Sequence, residues 1–120
     1  MHVYLTARHI ELGDRVREYV QQQLIEPIQK HTGLDLISVE VQLFAENDRG
    51  FPRGCHVQIE LKGHRDINVR EIDETLFAAI DKTKDRVLHS LTQLRNKILT
   101  TRRHPRQHDM QRANRALGRG

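Results

Sequence analysis

A chain of 120 residues is about the modal size for one domain, enough for a single hydrophobic core and too short for two. Apolar residues make up 37%, no run approaches the roughly 20 apolar residues that span a bilayer, and Met1–Thr6 shows no basic stretch leading into an apolar one, so a cytoplasmic protein without a membrane partner is expected. The charge is sorted along the chain: residues 1–81 carry nine Lys/Arg against fourteen Asp/Glu, whereas residues 82–120 carry eleven against two, the polarity of a molecule that meets a polyanion through one element.

The pattern Val3 and Leu5 against His2 and Tyr4 predicts a first strand over residues 3–6. A loop from Ala7 to Gly13 then leads to Asp14, a good helix N-cap. Val16, Val20, Leu24 and Ile28 recur every fourth residue with Tyr19 beside them, which predicts an amphipathic helix ending near His31–Gly33. Pro27 lacks an N–H and crowds the carbonyl of Gln23, so a kink or restart is expected there.

Ile37, Val39, Val41, Leu43 and Ala45 alternate with Ser38, Glu40, Gln42, Phe44 and Glu46, a strand with one buried face and one wet face. A turn-rich loop over residues 47–54 precedes a third strand, in which Cys55, Val57, Ile59 and Leu61 point inward. Cys55 shares that apolar face, so it reads as a small buried hydrophobe and not as a nucleophile, and a single cysteine forms no intramolecular disulfide. Gly63-His64-Arg65 closes a hairpin to a fourth strand over residues 66–71, with Ile67 and Val69 inward.

Asp73 or Thr75 can cap a long second helix, whose stripe is Leu76, Ile80, Thr83, Val87, Leu91, Leu94 and Ile98. Carried to Arg103 it would be roughly 40 Å long at about 1.5 Å per residue, and its end should project beyond the sheet. The remaining residues 104–120, with Pro105, four arginines and few apolar groups, form a basic tail expected to be disordered when free. The element order is therefore β-α-β-β-β-α, an α+β fold with two helices on one face of a four-stranded sheet, in a domain over 1–103 with a tail over 104–120.

On a wheel of 100° per residue with Ile80 at zero, Lys82, Arg86, His89, Gln93 and Lys97 fall between about 180° and 260°, a solvent-facing row opposite the buried stripe. Lys84, Arg95 and Arg102 fall at about 40° to 60°, along the rim where the helix meets the sheet. An exposed helix needs charge in any case, but from Lys82 to Arg103 this one offers a single acid, Asp85. A helix selected for solubility would interleave glutamates as i,i+4 partners, so the sign bias favours binding to a polyanion over bare solvation. The outer sheet face, with His2, Tyr4, Glu40, Gln42, Phe44, His56, Gln58 and Glu60, lacks the paired aromatics of an RNA-recognition motif, which favours recognition of phosphates and shape in structured RNA.

The segment Ala7-Arg8-His9-Ile10-Glu11-Leu12-Gly13-Asp14-Arg15-Val16-Arg17-Glu18-Tyr19-Val20 resembles the opening motif of the ribosome hibernation-promoting factor and ribosome-associated inhibitor family, the sigma-54 modulation proteins. Leu76-Phe77-Ala78-Ala79-Ile80-Asp81 is similar to that family's segment at the start of its last helix, and the likeness extends over about residues 1–100. The resemblance implies a domain akin to a double-stranded-RNA-binding domain that occupies the mRNA and tRNA channel of the small ribosomal subunit at the A and P sites. It implies reversible inhibition of translation in stress or stationary phase, without catalysis, cofactor or small-molecule substrate, by a protein expected to be monomeric when free. The rRNA-facing residues it implies are Arg86, Lys97 and Arg95 on the last helix, with Arg8 and His9 in the first loop. His89 stands where an arginine is usual and Gln93 where a lysine is usual, while Lys82, Lys84, Arg102 and Arg103 add charge to the same helix. The chain is similar to the short form of the family.

Two other classes compete. His104 and His108 have the spacing of a zinc pair, but Pro105 between them argues against a metal site, and no phosphate loop, nucleophile elbow or carboxylate pair points to an enzyme. A regulatory module that binds an acidic protein partner through the same basic helix is the alternative reading.

Overall fold

The computed structural model describes residues 1–31, 33–46 and 52–103. The alternating segments form β1 (His2–Arg8), β2 (Leu36–Ala45), β3 (Arg53–Leu61) and β4 (Ile67–Asp73), hydrogen-bonded in chain order. β1 runs parallel to β2, and the other two pairings are antiparallel. The parallel pair needs a crossover, which the first helical segment supplies: α1 (Asp14–Val20), a π-helical stretch over Gln21–Ile25, and α2 (Glu26–Gln29). The final helix, α3 (Leu76–Arg103), packs on β3 and β4 beside that segment. The predicted element order and α+β class hold, with helices on one face of a mixed sheet.

The local departures have physical causes. Asp14 is the first helical residue and Gly13 the N-cap, so its carboxylate acts on the positive end of the helix without capping a backbone N–H. The conflict at Pro27 is resolved one turn earlier. Across Gln21–Ile25 the turn widens and the Glu26 amide reaches back to the Gln21 carbonyl, which relieves crowding before the proline. The wider turn also brings Ile25 into the core beside Leu24, outside the four-residue periodicity.

At the start of β2, an irregularity between Leu36 and Ser38 reverses the expected facing of Ile37, which is 39% exposed, while Leu36 packs on the core. On α3 the buried stripe is as expected, from Leu76 through Ile80, Thr83, Val87 and Leu91, with Ala79 added. Thr83 fits a dry site because its hydroxyl donates to the Ala79 carbonyl at 2.8 Å. Thr75 caps the helix, its Oγ1 accepting from the Ala78 amide at 3.1 Å. Leu94 is the last residue of α3 that packs against the core, and beyond it Ile98 lines an open cavity with Gly33–Asp35, Lys62 and His64. Cys55 is fully buried, and burial pushes its thiol up to about 12, as expected of an inert core residue.

The largest correction concerns Phe44. It has the parity of the wet face, yet it is 1% exposed, because its ring lies across β3 over Gly54. A Cβ on Gly54 would stand 2.4 Å from the ring. Gly54→Ala is therefore expected to displace the ring and destabilise the domain by about 1–3 kcal/mol, read as a lower urea midpoint at unchanged slope.

Candidate nucleic-acid interface

The exposed row on α3 forms as the wheel predicts: Lys82, Arg86, His89, Gln93 and Lys97 all face solvent, because the opposite stripe is consumed by the sheet. The row is not electrostatically bare. Lys82 Nζ lies 2.9 Å from Asp73 Oδ2, and the Arg86 guanidinium donates to Glu71 Oε2. Their side chains remain 55% and 61% exposed, so each can exchange its carboxylate for a phosphate at small cost. The hydrogen bond from Lys82, with the backbone amide of Glu74, holds the Asp73 carboxyl below its ordinary range, and Asp73 raises Lys82 in turn.

Read in sequence, Asp73 is only a candidate helix cap and Glu71 a strand residue, although β4 announces both as partners of the row. They share the parity of Val69 and so face the helix layer at a sheet edge, where an acid needs a cationic neighbour.

The other predicted residues separate into distinct places. Lys84 turns toward the first helical segment, its Nζ 3.5 Å from Gln23 Oε1, while the Arg95 stem lies on Gly33 in the connection to β2. The close approach at Gly33 fits its positive φ of 84°. His31 stands beside them with Nε2 3.2 Å from Thr92 Oγ1, its other nitrogen buried without a hydrogen-bond partner among the described residues. Burial, then the Arg95 charge, lowers its pKa and keeps the ring neutral at pH 7. Tyr19 fastens α1 to α3 within the helical layer, donating to Asp81 Oδ1 at 2.7 Å and meeting Phe77 edge-on with centroids 4.7 Å apart.

Arg8 is not in a loop but ends β1, on the outer face of the sheet, with its guanidinium over Phe44 at 5.7 Å from the centroid. His9, at φ 64°, turns the chain away and lines an open cavity of about 500 Å³ with Ile10, Arg53, Thr75 and Phe77 at the start of α3. Arg102 and Arg103 fall on the last turn of α3, but their side chains, the whole 104–120 tail with His104 and His108, and loop residues 47–51 lie outside the described residues. The geometry thus joins Lys82, Arg86, His89 and Lys97 into one face, sets Lys84 and Arg95 along its flank, puts Arg8 on the opposite face of the sheet and leaves His9 by the start of α3. Among the described residues no cluster of His, Cys, Asp and Glu has the makings of a metal site, and no helix is long and apolar enough to cross a membrane.

The sequence pattern of the family described as Sigma 54 modulation protein / S30EA ribosomal protein matches residues 3–99. The chain is 29% identical over 104 residues to the chloroplastic ribosome-binding factor PSRP1 of Spinacia oleracea, an alignment covering 83% of this chain and 34% of that protein. It therefore spans about a third of that relative. The crystal structure of the Thermus thermophilus Protein Y N-terminal domain superposes with a TM-score of 0.65 at 26% identity, covering 79% of this chain and 100% of that one. A ribosomal subunit interface protein from Coxiella burnetii shares the fold with a TM-score of 0.66 at 14% identity, covering 80% and 99% of the two chains.

Proposed function

The chain belongs to the Sigma 54 modulation protein / S30EA ribosomal protein family, and from that membership we propose that it binds the ribosome. In this reading it lodges in the mRNA and tRNA channel of the small subunit near the A and P sites, and inhibits translation reversibly in the cytoplasm under stress or in stationary phase. The single observation that carries the reading is the exposed row of α3, whose cations stand in solvent on the side opposite the core. Phosphates of folded rRNA are the partner such a row suits, since they reward charge and shape without a base-reading platform. The names of the relatives support a ribosomal partner: one is a ribosome-binding factor and another a ribosomal subunit interface protein. The function is binding, with no chemical step.

Lys82, Arg86 and Lys97 would contact phosphates directly, and His89 would contribute a hydrogen bond more than a charge. Lys84, Arg95 and the arginines at the helix end would extend the contact along its length. Asp73 and Glu71 hold Lys82 and Arg86 in place before binding, and the acids then yield to rRNA.

Co-sedimentation tests this. The protein should travel with small subunits through a gradient at low salt, and mRNA should displace it. With on the order of five phosphate contacts, counterion release should strip most of it within a few-fold rise in salt. A folded protein that stays at the top of the gradient at low salt would refute the reading.

A further inference from the structure

The outer face of the sheet holds a cluster that the helix surface does not explain. Phe44 lies flat enough over Gly54 to reach across β3, and two arginines from the sheet's opposite edges meet its ring. Arg8, its cross-strand partner on β1, stands 5.7 Å from the centroid, and Arg70 on β4 stands 4.6 Å from it. Arg70 is fixed from the side by Glu46 at 2.7 Å, while Arg8 makes no ion pair among the described residues. Among the described residues, one carboxylate therefore serves two guanidiniums on one ring.

Apart from Tyr4, Ile37 and Ile72, the rest of this face is polar and graded in charge. Thr6, Gln42 and His56 form the next cross-strand row beside Arg70, and the acids Glu40, Glu60 and Asp66 gather toward the far end, where Glu60 accepts from Ser38 and Asp66 from Gln58. An anion approaching this face is directed to the Arg8–Arg70 end.

We propose that the Arg8–Phe44–Arg70 cluster is a second RNA contact, which takes an unpaired nucleotide by stacking its base on an exposed guanidinium and pairing its phosphate with the uncompensated charge. The proposal rests on the ribosome reading for its biological ligand, since a domain enclosed in an rRNA channel meets RNA on both layers. The chemistry is its own. An arginine laid on an aromatic ring keeps its second planar face for a base, and a guanidinium so held loses little freedom on binding. Lysine would cover Phe44 equally well and carry the same charge, but it has no plane to stack.

That difference supplies the test. The full chain is titrated, by fluorescence anisotropy, into a labelled oligouridylate and into a ribose-phosphate strand of equal length without bases. The intact protein should prefer the base-bearing strand by roughly tenfold, the order of one stacked base. Arg8→Lys with Arg70→Lys should erase the preference while affinity for the abasic strand and the circular dichroism spectrum stay unchanged. Equal affinity of the intact protein for both strands, or a preference that survives the double lysine variant, would reduce the cluster to a cover for the ring and overturn the proposal. A base preference in a protein that fails to sediment with small subunits would refute the ribosome reading and leave this contact standing.

Discussion

Exchanging Arg86 and Lys97 together for glutamate should lower affinity for small ribosomal subunits by roughly a hundredfold or more at low salt. Both side chains are exposed on the row opposite the core, so the exchange replaces attraction to phosphate by repulsion at two points of one surface. The variant should keep its helical circular dichroism signal, since exposed positions tolerate such changes. Glu71 supplies an internal control: Arg86→Glu sets two carboxylates side by side, whereas Arg86→Gln does not. Affinity should therefore fall in the order parent, double glutamine, double glutamate, while the urea midpoint drops modestly in the glutamate variant alone. Binding of both variants at parental strength would move the contact away from α3.

Leu91→Asp should instead abolish the fold. Leu91 is fully buried in the cluster shared by both helices and the sheet, among Leu24, Val57 and Ile80. A carboxylate there loses water with no described cation in the core to receive it, a cost of several kcal/mol that adds to the lost apolar contact. Against the 5–15 kcal/mol typical of a domain, this is enough to leave the chain unfolded at room temperature, seen as loss of the cooperative urea transition. A cooperative transition near the parental midpoint would contradict the placement of α3 on the sheet.

What the sequence disclosed follows from which interactions are periodic. The stripe from Leu76 to Leu91 and the alternations in β2 and β3 were legible because burial on one face repeats at a fixed interval, and the exposed cationic row is the complement of that stripe. The bulge that turned Ile37 outward was illegible, because a one-residue slip in pairing leaves no trace in the alternation itself. The same is true of the π-helical turn before Pro27, where the proline announced a disturbance without saying how the backbone would absorb it.

Phe44 shows a different limit. Its parity correctly put it on the outer face, but its burial depends on a missing side chain at Gly54 and on guanidiniums from two other strands. Such a contact exists only after the sheet is assembled. The ion pairs of Lys82 and Arg86 lie between these cases, since the inward parity of Asp73 and Glu71 was written in β4 while their partners were written in α3. Arg8 was selected as an RNA-facing residue from resemblance, and the sheet moves it to a face remote from the row it was grouped with.

The central claim, that α3 presents its cationic row to rRNA within the mRNA channel, is tested most directly by a density map of the protein on the small subunit. The account predicts α3 against rRNA phosphates in the decoding region, with Arg86 and Lys97 at the contact and the path of mRNA blocked. Density for the domain outside that channel, or with α3 turned to solvent, would contradict it.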